Sequence, residues 1–224
     1  MGDRRLPHGG WRADAALVAG FLLVTLLVWL DRFDLWDLVV RDWVDGNRTS
    51  RPIYLACRTL NYLGSANVLV LVGLALAAIL AGRTRSWRPL LPVVAAYGVS
   101  HLVLGPVKVL THRAAPHSPL ADGSGFFTDP DGWSYPSGHV VNALIWYPVL
   151  ILLMEAVLGR ALPGRSVVRV GAVVTVSVTV TFLGYHWMTD VLGALLIGAV
   201  LDRALRRVPW LAPAHVESSI RVST

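Results

Sequence analysis

Six long apolar runs set the limits on what this chain can fold into. They lie at about 11–30, 66–81, 90–110, 139–158, 166–183 and 186–205. The hydrocarbon core of a bilayer takes about 17–25 mostly apolar residues per helix. Inside it every backbone N–H and C=O must find its partner within the protein, which leaves only helices and closed barrels. Runs of this length predict helices, so the expected fold is an all-α integral membrane protein with a six-transmembrane-helix bundle. The second run is the shortest, and a start as early as Tyr62 is open. Composition agrees: 54% of residues are hydrophobic and 15% charged, with a mean hydropathy of +0.56. A soluble domain is about a quarter charged.

The connections carry the remaining information. In 31–52, Phe33, Leu35, Trp36, Val39, Val40, Trp43 and Val44 alternate with Asp34, Asp37, Arg41 and Asp42. That spacing gives one apolar helical face. It predicts an interfacial helix after helix one, or a surface helix packed on its neighbours. Arg4 and Arg5 precede an apolar run that ends Val28-Trp29-Leu30-Asp31, with no small-residue cleavage site. The first run therefore reads as a retained helix rather than a secretory signal. Single Cys57 excludes an intrachain disulfide.

The net charge of +6 would suit nucleic acid, but its distribution does not, and no nucleic-acid partner is expected. The arginines fall in short segments: Arg4, Arg5 and Arg12; Arg83, Arg85 and Arg88; Arg160, Arg165 and Arg169; Arg203, Arg206 and Arg207. If six spans alternate, all four clusters share one side, which the positive-inside rule makes cytoplasmic. Both termini are then cytoplasmic in a multi-pass protein of the plasma membrane. The other side receives 31–58, the long loop 111–135 and a tight Gly184-Tyr185 turn. In the loop, Ala121-Asp122-Gly123 and Asp129-Pro130-Asp131-Gly132 are turn signals rather than a metal site. Phe126, Phe127 and Trp133 suit a lip in the interface. The chain reads as one membrane domain over 1–224, with its motifs in 108–190 and a disordered cytoplasmic tail over 211–224.

Three groups of polar residues converge on that second side. Pro136-Ser137-Gly138 opens the fourth run. Free N–H groups and the helix dipole at a helix start suit an anion, and Gly138 lets an oxyanion approach the backbone. The same stretch also fits a plain N-cap. His186 and Asp190 are four apart at the start of the sixth run, and so share a helical face. A carboxylate on one imidazole nitrogen leaves the other free for attack; an interfacial pair that pins the helix is the alternative. Lys108, the only lysine among 20 lysine and arginine residues, closes the third run. Asn142, one turn below His139, is placed to orient it. His101 reads as a satisfied interhelical histidine.

Lys108, Tyr135-Pro136-Ser137-Gly138-His139 and His186-Trp187-Met188-Thr189-Asp190 together resemble the type 2 phosphatidic acid phosphatase superfamily, also related to the vanadium haloperoxidases. That pattern is a Lys followed seven and eight residues later by Arg-Pro, then Pro-Ser-Gly-His, then Ser-Arg ahead of His and, four on, Asp. Lys108, Pro116, Ser137, Gly138, His139, His186 and Asp190 match. The two arginine positions fall on Ala115 and Val180, and Ser-Arg reads Thr179-Val180. Each charge-assisted contact to a buried phosphate is worth about 1.5–3 kcal/mol. The loss calls for a replacement, and Arg113, His112 or His117 is near enough in sequence to supply one.

The resemblance implies a metal-independent phosphoric monoester or diphosphate hydrolase with no cofactor and no metal. Lys108, Ser137, Gly138 and Arg113 would hold the phosphate, His186 would form a phosphohistidine, Asp190 would orient it, and His139 would act as acid and base. The expected substrate is a lipid phosphate or diphosphate of polyprenyl or glycerolipid type, taken from membrane lipids at the extracytoplasmic face. Two alternatives stay open. One is a headgroup phosphotransferase resembling sphingomyelin synthases, with Ser134, Tyr135 or Asp131 selecting an acceptor. The other is a non-catalytic member that binds lipid or a partner protein. Oligomeric state is not legible.

Overall fold

The computed structural model describes residues 10–48, 50–119 and 124–211. Arg4, Arg5, the Ala121-Asp122-Gly123 turn and 212–224 of the expected tail lie outside the described residues. Among the described residues there are eight α-helices and no strand. They are α1 (Gly10–Trp29), α2 (Asp34–Asn47), α3 (Arg51–Leu60), α4 (Ala66–Thr84), α5 (Leu91–Thr111), α6 (Gly138–Leu158), α7 (Arg165–Phe182) and α8 (Met188–Arg206). Tight turns at Asn61–Gly64 and Arg88–Leu90 lead into α4 and α5.

Among the described residues, five helices are long and apolar enough to cross a membrane: α1, α4, α5 with its leading turn, α6 and α7. The expected sixth span, α8, is a 19-residue helix. Its charged residues Asp190, Asp202, Arg203 and Arg206 set it apart from the other five. It lies between α1 and α6. Large apolar side chains on the outer faces are exposed, Leu71, Val94, Leu102 and Val167 among them, which suits a lipid surroundings rather than water.

α6 is the axis of the bundle. It packs on α4, α5, α7 and α8 and buries Val140, Val141, Ile145, Trp146, Val149 and Leu153. Helices with no hydrophobic drive between them associate by close packing. At Gly198 of α8 an added Cβ would meet Leu144 Cδ1 at 2.6 Å and Val141 Cα at 3.4 Å, so this glycine sets the α6–α8 spacing.

The two ends of the bundle differ in charge. At one end Arg203 and Arg207 both reach Asp14 of α1, Arg169 and Arg206 share Asp202, and Arg83 donates to the Val157 carbonyl. Glu155 belongs here too, accepting from Leu162 N–H at 2.9 Å. At the other end meet the last turn of α5, the first turns of α6 and α8, the last turn of α7, and α2.

α2 has the amphipathic form expected of it. Leu35, Trp36, Val39 and Trp43 face outward and exposed, while Asp37 and Val44 are buried. The apolar stripe is turned to the surroundings, and an aspartate faces the bundle. α3, beginning at Arg51-Pro52, is a helix where the sequence reading had only a connection; proline at its first turn suits that position.

Candidate active site

Ser137 stands at the N-cap position of α6, in extended geometry. Its backbone N–H donates to the Asp190 carbonyl at 3.1 Å, which fixes the start of α6 against the start of α8. Its side chain makes no capping bond. Oγ is buried and has no hydrogen-bond partner among the described residues. The plain N-cap alternative therefore does not describe this serine. A Cβ on Gly138 would meet nothing nearer than Lys108 Cε at 3.9 Å, so the lysine stem lies beside the first turn of α6. Lys108 Nζ donates to the Trp133 carbonyl, leaving two of its three N–H groups for other acceptors.

His186 is not on a helix. It sits in the turn before α8, whose N-cap is Trp187. The Asp190 carboxylate reaches back over that cap and accepts from Trp187 N–H at 2.9 Å. This brings Asp190 Oδ2 to His186 Nδ1, 3.3 Å away. The pair thus meets through helix capping rather than through a shared helical face. Ser134 Oγ donates to the same carboxylate oxygen and lies 3.3 Å from His186 Nδ1. The rings of His186 and His139 stand edge to face with centroids 6.3 Å apart.

Arg113 is placed elsewhere than expected. Its side chain is fully buried and lies behind His186, not in front of Ser137. Nε donates to the Ser124 carbonyl at 2.6 Å. Nη1 donates to Asp190 Oδ1 at 2.5 Å and Thr189 Oγ1 at 2.8 Å, and Nη2 to Asp37 Oδ2 at 2.6 Å. The rings of Phe126, Tyr135 and Trp187 surround its guanidinium at 5.7–5.9 Å, within cation–π range. Its donors are engaged by two carboxylates, Thr189 and the Ser124 carbonyl, so the structure does not bring Arg113 together with Lys108 and Ser137 as expected.

The neighbouring expectations sort in the same way. His117 Nε2 lies 3.0 Å from Asp45 Oδ2 of α2, with its ring against the α7–α8 turn. A Cβ on Gly184 there would come within 2.2 Å of that ring, and Gly184 has a φ of +69°, so only glycine fits. His112 ends α5 in a left-handed conformation. Asn142 donates to the Gly64 carbonyl at 3.2 Å; it ties α6 to the turn before α4 rather than orienting His139. His101 is exposed, bonded to Tyr97 of its own helix at 2.8 Å, and so is not interhelical. Asp129 closes a turn through the Gly132 and Asp131 N–H groups. Phe127 and Trp133 are exposed, while Phe126 packs inward on Tyr135. Val180 belongs to the apolar core, and its carbonyl accepts from Tyr185 and His186 N–H.

Sequence reasoning missed Asp37 and Thr189. Asp37 is 1% exposed. Its Oδ1 accepts from Thr189 N–H at 3.0 Å and its Oδ2 from Thr189 Oγ1 at 2.5 Å. Burial pushes its carboxyl above the ordinary 3.8, against the pull of Arg113 and Thr189. Asp37 is one of four aspartates in α2, Asp34, Asp37, Asp42 and Asp45, and nothing local in the sequence sets it apart from the others. Tyr135 is fully buried, and burial pushes its hydroxyl up to about 12. It shares a 2.7 Å hydrogen bond with Thr25 of α1.

Comparison with known proteins finds a family and a shared fold. The family model of the PAP2 superfamily matches residues 89–213, more than half of the 224 residues. Phosphatidylglycerophosphatase B of Bacillus subtilis (strain 168) is 28% identical over 146 residues, covering 63% of this chain and 68% of that protein. The crystal structure of the first transmembrane PAP2 type phosphatidylglycerolphosphate phosphatase from Bacillus subtilis superposes with a TM-score of 0.72. It does so at 22% identity over 87% of this chain and 94% of that one, a likeness of fold. Lys108, Ser137, Gly138, His139, His186 and Asp190 all fall within the span that the family model matches; Asp37 does not.

Proposed function

The chain belongs to the PAP2 superfamily and is a multi-pass membrane phosphatase, and from there we propose that it hydrolyses a lipid phosphate or diphosphate through a phosphohistidine. The substrate class is polyprenyl or glycerolipid. One observation carries the reading: a buried Ser137 hydroxyl with no partner among the described residues, at a helix start that abuts Lys108 and carries His139, whose ring lies 6.3 Å from that of His186. Burying a hydroxyl without a partner costs about 1–3 kcal/mol. A phosphoryl oxygen at that position removes the cost, and the α6 N–H groups and the Lys108 ammonium would bind the same group.

The steps follow from who can hold and move protons. The free ring nitrogen of His186 attacks phosphorus, and the bond to the leaving alcohol oxygen breaks. His139 donates a proton to that oxygen. Asp190 accepts the N–H of His186 Nδ1 and steadies the cationic ring as the P–N bond forms. His139, now neutral, takes a proton from water as its oxygen attacks phosphorus. The P–N bond breaks and phosphate leaves. Lys108, Ser137 and the backbone N–H groups neutralise charge on the phosphoryl oxygens throughout.

The membrane arrangement belongs to the same proposal. α8 completes a sixth pass, with its charges at its two ends. Arginines gather at the end opposite the site, in the Asp14–Arg203–Arg207 and Asp202–Arg169–Arg206 clusters. By the positive-inside rule that end is cytoplasmic, so the site opens to the extracytoplasmic face of the plasma membrane.

The test is phosphate release by purified protein in detergent with a chelator present, offered lipid mono- and diphosphates, with His186→Ala as control. Release by the wild type alone supports the hydrolase; silence across the panel overturns it. A second reading, headgroup phosphotransfer, is favoured by the placement of Arg113. With that guanidinium turned away, Lys108 stands alone as the arginine or lysine beside Gly138 among the described residues, which suits a less charged phosphodiester. Headgroup transfer from a phosphodiester donor to added diacylglycerol, without phosphate release, would establish it instead.

A further inference from the structure

Behind the reacting histidines lies a set of buried charges, of which the steps above use Asp190 alone. Asp37 is 1% exposed, and Arg113 and Asp190 are 0% exposed. The Arg113 fork is split, one arm on Asp190 at 2.5 Å and the other on Asp37 at 2.6 Å. Thr189 closes the ring. It accepts from Arg113 Nη1 and gives both its N–H and its hydroxyl to Asp37. Asp37 thereby caps the first turn of α8 from a different helix.

The charges do not balance. One guanidinium faces two carboxylates, so the cluster carries a net charge of minus one in a place where water is excluded. Among the described residues, the one other ionisable side chain hydrogen-bonded to either carboxylate is His186, through Nδ1 and Asp190 Oδ2. Had Arg113 only Asp190 to face, the pair would be neutral and Asp190 would offer little to a cationic imidazole. Asp37 takes half of the fork and restores the imbalance. Fixed charges in a dry site act strongly.

We infer that Asp37 is a positioning residue for this reaction. It draws Arg113 and Thr189 into a frame that fixes Asp190, and it leaves one negative charge behind His186 for the moment that ring becomes cationic. The inference rests on the reading of His186 and Asp190 as the reacting pair. It concerns α2, outside the residues that the family model matches.

Charge arithmetic supplies the test. Asp37→Asn keeps the size and one acceptor but makes the cluster neutral. Asp37→Asn combined with Arg113→Gln returns it to minus one. Two readouts are needed: kcat and KM for lipid phosphate release, and binding of orthovanadate by calorimetry, which needs no turnover. The single variant is expected to lose about a hundredfold in kcat with KM within about threefold, and about tenfold in orthovanadate affinity. The double variant is expected to regain at least about tenfold in kcat over the single. A purely structural role would leave the double variant no better than the single one, and that result in folded protein overturns the inference. So does a single variant with wild-type kcat and wild-type orthovanadate binding. Should Asp37→Asn not fold, Asp37→Glu carries the test: a longer stem shifts the fork, and an unchanged kcat overturns the idea. A wild type that is silent on lipid phosphates, yet binds orthovanadate in an Asp37-dependent way, sinks the hydrolase reading and keeps this one. A wild type that binds no orthovanadate sinks both.

Discussion

Replacing Ser137 by alanine separates a ligand-binding serine from a capping one, because the two make opposite demands on stability. In the free protein Ser137 Oγ is buried without a partner among the described residues and makes no cap bond. Its hydroxyl therefore weakens the resting fold by the cost of an unmet polar group, about 1–3 kcal/mol. With substrate bound it donates to a charged oxygen, worth about 1.5–3 kcal/mol. At about 1.4 kcal/mol per decade, Ser137→Ala should lower kcat/KM by about 10- to 150-fold. Thermal stability in detergent should hold or rise, since the alanine removes the unmet group. A capping serine would instead lose about 0.5–2 kcal/mol, or about 2–4 °C per kcal/mol for a chain of this size. Phosphate-release kinetics and a melting curve on the same preparation decide it. Wild-type kcat/KM would refute the assignment outright. A fall in both activity and melting temperature would show that the serine holds the helix rather than the phosphate.

Three further outcomes are expected. Lys108→Met removes the cation beside the α6 start and should cut kcat/KM by about a hundredfold or more; release kinetics that match the wild type would take Lys108 out of the site. At Gly193 an added Cβ meets the Tyr135 hydroxyl at 2.6 Å and Cζ at 2.8 Å, so Gly193→Ala should cost about 1–3 kcal/mol, read as a lower melting temperature and reduced turnover. Burial pushes the Cys57 thiol above its ordinary 9.0, so its thiolate fraction is small at neutral pH and grows as pH rises through that raised value. An impermeant maleimide should therefore label intact cells slowly at pH 7 and faster at pH 8.5, with Cys57→Ser as control. Labelling only after lysis would reverse the proposed orientation.

The legible parts of this protein are those whose chemistry is local in sequence. The apolar runs read directly as helices. Pro136-Ser137-Gly138 is a helix start by composition; Lys108 stands out as the only lysine, and its role, like that of His139, came from the family resemblance. His186 and Asp190 were legible as a pair, but not how they meet: four residues apart reads as a helical face, whereas the helix begins only at Met188. The placement of Arg113 was the least legible. One residue in a loop points wherever the loop folds, and this loop is held by Ala114 N–H on Thr128, Phe127 N–H on the Thr111 carbonyl, and the Trp187 indole on the Ala114 carbonyl. None of those contacts has a period that a sequence reveals. Asp37 was hidden by the pattern that made α2 easy to find. An apolar stripe is normally the buried one, but at a lipid surface it faces outward, and the polar side of the helix becomes the side that meets the protein.

That inversion bears on how portable the site is. The six residues of the proposed reacting centre all lie between 108 and 190, so a shortened chain or a chimera carrying the matched helices would contain every one of them. It would also contain Arg113 with one carboxylate where it now has two, and a Thr189 N–H with its acceptor removed. A grafted site of that kind would keep those six residues and lose the extra negative charge behind His186. α2, with Trp36 and Trp43 exposed on its far side, is thus part of the floor on which the histidines stand.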